Sequence, residues 1–252
     1  MALTRFAASA APEVRALAGQ GAVALWPVGS TEQHGSHLVT GFDLASATAV
    51  CERAAVAASA QVVLLPGLAF GASDHWLELG ATLSLRPATL LAVVLDVIRS
   101  AERSGFERLV AVNGHAGNIG VLTAALGDTT SSAIQVEVVS YWTLVDARRM
   151  ADACLSDAGG VGHAGEVETS IALALEAGLA VNERLPAPPG RALVPGEPGG
   201  PPAGGIVRSP RPLLESPSGV YGDPSQARPE LGELVLAEAS SALARHLDRP
   251  GG

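Results

Sequence analysis

The segment that decides the fold is Trp26-Pro-Val-Gly-Ser-Thr-Glu32-Gln-His34-Gly-Ser-His37-Leu-Val-Thr-Gly-Phe-Asp43, which follows an apolar, β-prone stretch over 22–26. It places two acids and two histidines in a loop interrupted by glycines. Alternate side chains of an extended backbone leave on the same face, so Glu32 and His34 can meet one ion or two adjacent ions. The segment therefore predicts a metal site at the carboxyl end of a buried strand, followed by a helix at about 43–58.

The rest of the chain alternates between strand and helix patterns. Apolar runs predict strands at about 61–65, 108–112 and 135–140, with helices at about 87–104, 119–126, 166–177 and 230–246. This alternation indicates right-handed βαβ units around a mainly parallel sheet, an α/β fold that binds ligands beyond the carboxyl ends of its strands. The loop Asn113-Gly-His115-Ala-Gly-Asn118 follows one of these strands and is expected at the same edge as Glu32.

Length and composition narrow the class of protein. With 252 residues, 48% of them hydrophobic, we expect one domain over 1–252, with a Pro/Gly-rich surface meander at about 186–224. The net charge of −9 and the absence of lysine argue against a nucleic-acid partner and exclude Schiff-base and P-loop lysine chemistry. No apolar run approaches the roughly 20 residues that span a membrane, and the N-terminus lacks a signal-peptide pattern. We therefore expect a cytoplasmic protein without a membrane partner.

The donors in the two loops predict hydrolytic chemistry. Glu32, His34, Asp43 and His115 suit Zn²⁺, Mn²⁺ or Fe²⁺, whereas the two distant cysteines suggest no thiolate site. Two ions sharing a carboxylate would clamp nucleophile and leaving group, and a metal-bound hydroxide would attack a carbonyl carbon. The alternative is that each residue only forms a turn or satisfies a local hydrogen bond.

A third segment, Gly162-His163-Ala-Gly-Glu166-Val-Glu168-Thr-Ser170, opens the predicted helix at 166. Glu168 would lie in the first turn, where the helix N-terminus favours its charge, although capping alone would also explain it. His163 lies just before the helix. It is the best candidate for a general acid or base, because an imidazole near its reference pKa works at neutral pH.

Together these motifs resemble those of the creatininase, or creatinine amidohydrolase, family, from about Ala22 to the Gly219-Val-Tyr-Gly-Asp-Pro224 segment. The resemblance implies a three-layer α/β fold with a mainly parallel sheet and a binuclear centre of Zn or Mn, with Fe as an alternative. It also implies hydrolysis of a carbon–nitrogen bond in a small amide or a short peptide. A homo-oligomer, often a hexamer, is a further implication.

The resemblance also implies roles for single residues. Glu32, His34, Asp43 and His115 match family metal ligands, with Asp43 as the bridge. His163 matches a residue that handles protons. On the substrate side the resemblance indicates Trp142, which matches an aromatic residue that covers the substrate, together with His75 and Ser73.

Two departures from the family pattern affect the function. Creatinine-hydrolysing members carry Glu two residues after the histidine matched by His115, and this chain has Gly117 there, so Glu168 becomes a candidate ligand for the second ion. The stretch from His75 to Thr82 is altered where substrate would lie. Three functions stay open: an amidohydrolase, a peptidase like the branch that trims the mycofactocin precursor peptide, or a catalytically silent metal- or ligand-binding member.

Overall fold

The computed structural model describes residues 3–130, 132–156, 161–175, 178–181, 184–185, 187–190 and 216–250. Its centre is a five-stranded sheet of β1 (Thr4–Arg5), β2 (Val23–Val28), β3 (Val62–Leu64), β4 (Arg108–Asn113) and β5 (Gln135–Ser140). All strand pairs are parallel, and the order is β1-β3-β2-β4-β5. The predicted parallel sheet is therefore confirmed, with the short edge strand β1 as an addition.

Helices cover both faces of the sheet: α1 (Ala11–Gly19), α2 (Phe42–Ala57), α3 (Pro87–Arg103), α4 (Ile119–Asp128), α5 (Ala147–Ala153), α6 (Glu166–Leu175) and α7 (Pro229–Leu247). Because side chains alternate along a strand, Val110 and Val112 pack with α2, α6 and α7, whereas Leu109 and Ala111 pack with α1, α3 and α4. The result is the predicted three-layer α/β arrangement with a separate apolar core on each side.

The strand register brings three loops to one edge of the sheet. Val28 of β2 pairs with Asn113 of β4, and Asn113 pairs with Ser140 of β5. The segments that follow these strands therefore start side by side. Helices α2 and α6 begin near the same edge, with Asp43 and Glu168 in their first turns.

The structure differs from the predicted elements in a few places. The predicted loop at 71–76 becomes a 3₁₀ helix at Asp74–Leu79, and α1 and α5 were not predicted. Residues 176–177 of the predicted α6 and most of the predicted meander at 186–224 lie outside the described residues, and the single domain over 1–252 stays a prediction. In the part of the chain described, no helix is long and apolar enough to cross a membrane.

Candidate metal centre

The five predicted metal ligands come together at the carboxyl edge of the sheet. Glu32 and His34 lie in the loop after β2, Asp43 in α2, His115 after β4 and Glu168 in α6. All five are buried, and Glu168 is the most exposed of them at 7%. Burying several ionisable groups together is unfavourable unless their charges are compensated. The cluster therefore needs positive charge at its centre.

Asp43 lies between the two halves of the cluster. Its Oδ1 is 3.1 Å from His34 Nε2, and its Oδ2 is 3.2 Å from His115 Nδ1. Glu32 Oε1 is 3.3 Å from His115 Nδ1, and Glu168 Oε2 is 3.8 Å from His34 Nε2. The donor atoms of His34, Asp43 and Glu168 all lie within 4.8 Å of one another. This geometry fits two adjacent ions that share Asp43.

Four donor atoms of the cluster are buried without a hydrogen-bond partner among the described residues. They are both carboxylate oxygens of Glu32, His34 Nε2 and Asp43 Oδ2. Three of these atoms lie 3.1 to 3.3 Å from an oppositely charged group of the cluster. Buried polar atoms are almost always paired, so a set of carboxylate and imidazole donors facing one space fits a site for a cation. Oxygen and imidazole donors without thiolates suit Zn²⁺ or Mn²⁺.

The outer nitrogens of the two ligand imidazoles contact oxygen acceptors. His34 Nδ1 lies 3.2 Å from the Glu32 carbonyl oxygen. His115 Nε2 lies 3.2 Å from the Ala72 carbonyl oxygen and 3.1 Å from Ser73 Oγ. A proton on each outer nitrogen leaves the lone pair of the inner nitrogen facing the cluster, as metal-binding histidines require.

Ser73 lies behind His115 rather than in the cavity. It is fully buried, and its hydroxyl also bonds Ser30 Oγ at 2.6 Å. The substrate contact predicted for Ser73 stays a prediction that this position does not support. The contact with His115 Nε2 instead supports a role in holding the imidazole.

His163 lies against the same cluster from the loop before α6. Its Nε2 donates to the Gln33 carbonyl oxygen at 2.8 Å, and its Nδ1 lies 3.5 Å from Glu32 Oε1. Trp76 stacks on the imidazole with ring centroids 4.3 Å apart. Donor atoms of Glu32, His34 and His163 also lie within 4.8 Å of one another. This position fits the predicted proton transfer and also permits a direct contact with an ion.

The local backbone fixes the carboxylate of Glu168. Its Oε2 accepts a hydrogen bond of 2.6 Å from the Ala164 amide. Ala164 is in the left-handed region at φ 51°, an uncommon conformation for a residue with a Cβ, and it turns the amide back toward α6. His37 Nε2 bonds Thr169 Oγ1 at 3.0 Å, which joins the first loop to the start of α6.

Opposite charges control protonation in the cluster. Burial alone would lower the pKa of His34, but Asp43 and the other carboxylates raise it to about 10. Burial would also lower the pKa of His115, but Glu32 and Asp43 raise it well above its usual value. Burial raises the pKa of Glu168 to about 7. Two divalent ions would supply the positive charge that the carboxylates require, and both imidazoles would then be neutral ligands.

A small cavity of about 40 Å³ opens over the cluster. Besides residues of the cluster, its wall includes the rings of His75, Trp76, Trp142 and Tyr221, and also Val161 and Gly162. His75 stacks parallel to His115 at 5.7 Å, and burial lowers its pKa to about 4. The positions of His75 and Trp142 fit their predicted substrate contacts. Trp76 was not predicted, since nothing in its local pattern separates a cavity wall from a core aromatic.

The chain is similar along most of its length to proteins of one family. The creatininase family profile, described as creatinine amidohydrolase, matches residues 7–247. The mycofactocin precursor peptide peptidase of Mycobacterium ulcerans (strain Agy99) is 33% identical over 242 residues, covering 90% of this chain and 87% of the relative. The creatinine amidohydrolase of Pseudomonas putida is 35% identical over 189 residues, covering 69% and 71%. A mutant creatininase of Zn-Zn type superposes with a TM-score of 0.77 at 31% identity, covering 98% and 97%.

The chain therefore belongs to the creatininase family, and the resemblance deduced from its motifs is confirmed. Its three-layer fold is that of the solved creatininases. The names of both relatives are those of hydrolases that cleave amide bonds. One solved creatininase is a Mn form, superposing with a TM-score of 0.76 at 30% identity and covering 97% of each chain.

Proposed function

We propose that the protein is a metal-dependent amidohydrolase that holds two divalent ions, Zn²⁺ or Mn²⁺, and cleaves a carbon–nitrogen bond. The observation that carries this proposal is the group of buried donor atoms without hydrogen-bond partners around Asp43. A purely structural role for these residues would have paired them with protein donors. Zn and Mn forms among the related creatininases support the choice of ions.

The chain offers a ligand set for each ion. Glu32 and His115 would hold one, His34 and Glu168 the other, and Asp43 would bridge them. When bound, such ions lower the pKa of a coordinated water and polarise a carbonyl oxygen. Glu168 would supply a carboxylate beside His34, so each ion would have one acid besides Asp43 although position 117 has none.

His163 would handle the proton of the reaction at Nδ1. His163 Nε2 lies 2.8 Å from the Gln33 carbonyl oxygen and 3.1 Å from the Gln33 side-chain Nε2. In the tautomer that donates from Nε2 to the carbonyl, the Nδ1 lone pair lies beside Glu32. Burial, and then the charge of a protonated His34, lowers the pKa of His163 to about 3, so the ring is neutral at pH 7. This pKa differs from the near-reference value expected from the sequence, and a general base needs a pKa nearer the working pH. A neutral, metal-bound His34 would remove one of the two causes that lower it. Stacking on Trp76 holds the ring plane in this position.

The cavity supports an amide as the reacting group. Planar aromatic walls from His75, Trp76 and Trp142 match a flat amide, and 40 Å³ leaves room for only a few water-sized groups. The scissile amide would enter the cavity while the remainder of a small amide or short peptide stays outside. We further propose a homo-oligomer, as expected from the family resemblance.

The proposal is tested by metal content and turnover of Glu32→Gln and His115→Ala. Both variants should lose metal and activity, because each removes a donor from the same ion, while their circular dichroism should match wild type. Glu233→Gln is the matched control, since this glutamate pairs with Arg53 on the surface. Wild-type metal content and turnover in either site variant would refute the assignment.

A peptidase is the second candidate, and one observation favours it. The relative named mycofactocin precursor peptide peptidase aligns with 90% of this chain, whereas the creatinine amidohydrolase aligns with 69%. Incubating the metal-loaded protein with creatinine and, separately, with the precursor peptide, followed by mass spectrometry, separates the candidates. Cleavage of the peptide alone would select the peptidase. No cleavage of any amide by fully loaded protein would favour a silent binding member.

A further inference from the structure

Gly117 lies in the 3₁₀ turn after His115, where the structure has no space for a side chain. A Cβ at this position would lie 2.3 Å from the Ala72 carbonyl oxygen and 2.4 Å from His115 Nε2. Neither atom is the end of a flexible side chain. An alanine, and all the more an acid, at 117 would therefore force the Ala72 backbone or the His115 ring to move.

The same two atoms form the support of His115. The ring donates from Nε2 toward the Ala72 carbonyl at 3.2 Å, with Ser73 Oγ at 3.1 Å. This support points Nδ1 at Glu32 and Asp43. The space beside the outer nitrogen, where a side chain at 117 would lie, is thus used to orient the ring.

The supporting segment has little freedom to retreat. The Ala72 amide donates to Asn118 Oδ1 at 2.9 Å, and Asn118 Nδ2 donates to the Gly29 carbonyl at 3.0 Å. The Ser73 amide donates to Ser84 Oγ at 2.8 Å. The two buried bonds of Asn118 connect the segment to the loops after β4 and β2, and the part-buried bond to Ser84 connects it to the chain beyond the 3₁₀ helix. Displacing Ala72 would therefore disturb bonds to three other segments.

We propose that Gly117 is a positioning residue: it lets the Ala72 carbonyl and the Ser73 hydroxyl hold His115 with Nδ1 toward the metal centre. An acid at 117 is incompatible with this support, because its Cβ would already overlap the Ala72 carbonyl and the His115 ring. The inference rests on the proposed metal centre. It explains why adding the apparently missing acid would weaken this site rather than complete it.

The test compares Gly117→Ala, Gly117→Glu and Ser73→Ala with wild type in the full-length protein. The readouts are Zn²⁺ affinity by chelator competition and the visible spectrum of the Co²⁺-substituted protein, which reports imidazole coordination. Gly120→Ala is the matched control, because a Cβ at this nearby glycine meets nothing within 4 Å.

Compared with wild type, all three variants should bind the more weakly held Zn²⁺ about 10- to 100-fold less tightly, because a metal ligand loses a supporting contact. Their Co²⁺-substituted forms should also show an altered visible spectrum. Gly120→Ala should match wild type in both readouts. Ser73→Ala leaves the backbone unchanged, so it remains informative if Gly117→Glu fails to fold.

Two results would contradict the inference in different ways. Wild-type or tighter Zn²⁺ binding by Gly117→Glu, or unchanged binding by Gly117→Ala and Ser73→Ala, would overturn the role of Gly117 and leave the proposed function standing. A wild-type protein that binds neither Zn²⁺ nor Mn²⁺ would overturn both.

Discussion

At the scale of residues, backbone carbonyl groups orient the three imidazoles of the carboxylate–histidine cluster. In each ring, the nitrogen that points away from the cluster contacts a carbonyl oxygen. His34 contacts Glu32, His115 contacts Ala72, and His163 contacts the Gln33 carbonyl. Backbone carbonyls do not titrate, so these contacts persist over a wide pH range. The inner nitrogens are therefore presented to the centre before any ion binds.

His163→Ala separates proton transfer from metal binding. We expect the variant to retain both ions and to lose roughly 10²- to 10⁴-fold in kcat, the usual contribution of a positioned proton-transfer group. Metal analysis alongside steady-state kinetics on the substrate found for the wild type checks this. Loss of an ion would instead make His163 a ligand, as its proximity to Glu32 and His34 permits.

The sequence predicted single residues well where local spacing carries the information. Glu32 and His34 alternate along one short segment, so their convergence follows from an extended backbone. The roles of Trp76 and Ser73 depend on segments that meet only in the folded chain: Trp76 stacks on His163 from 87 positions earlier in the sequence, and Ser73 bonds His115 across 42 positions. No local pattern encodes such contacts.

At the scale of elements, Arg108 connects the sheet to the last helix. From β4 it forms a bidentate ion pair with Glu137 of β5, in which Nε donates to Oε1 at 2.9 Å and Nη2 donates to Oε2 at 3.3 Å. It also donates to the Leu247 and Arg249 carbonyl oxygens at the end of α7, at 3.2 and 2.8 Å. His246 of α7 bonds the same glutamate. Together these contacts fix the end of α7 against the amino ends of the strands.

Glu137→Gln tests this connection through its pH dependence. Burial alone would raise the pKa of Glu137, but Arg108 and then His246 lower it below its usual 4.5. A lowered folded-state pKa stabilises the fold above the unfolded-state pKa, and this stabilisation disappears as pH falls through the folded-state value. We expect the variant to lose about 1 kcal/mol of unfolding free energy at pH 7 and less at pH 3, which lies below the usual pKa of 4.5.

Urea unfolding at the two pH values measures the effect of Glu137→Gln. The exposed neighbour Glu107 provides the control Glu107→Gln, which should change stability little at either pH. An equal loss at pH 7 and pH 3 would mean that the carboxylate charge is not what stabilises the connection.

Elements with a strong apolar signal were predicted within a few residues. Strand β5 was expected at 135–140 and is found there, and α3 was expected at 87–104 and ends at Arg103. Strand β1 has only two residues, too few for a pattern, and α5 buries none of its residues, so it has no apolar stripe to detect. The local sequence signal for α5 is instead its N-cap, where the Asp146 side chain accepts hydrogen bonds from the Arg148 and Arg149 amides.

At the scale of the whole molecule, the proposed metal centre would connect four separate segments of the fold. Its candidate ligands lie in the loops after β2 and β4 and in the first turns of α2 and α6. A ligand that binds only the folded state stabilises it, by about 4 kcal/mol at a thousandfold excess over Kd. Metal binding should therefore raise the unfolding temperature of the entire domain in one step.

Removal of metal with a chelator should lower the Tm measured by calorimetry, and excess Zn²⁺ should restore it. The chelator should lower the Tm of Glu32→Gln by much less than that of the wild type, because the variant holds fewer ions before the chelator is added. An equal drop in the two proteins would place the stabilising ions elsewhere in the molecule.

The most direct measurement of the metal centre is anomalous diffraction at the zinc edge from crystals of the Zn²⁺-loaded protein. If the protein holds two ions as proposed, we expect two peaks, one on each side of Asp43. One peak should contact Glu32 and His115, and the other should contact His34 and Glu168. Two such peaks would establish the ligand set directly. Peaks that avoid Asp43, or a fully loaded crystal with no peak near Glu32, would contradict the central claim.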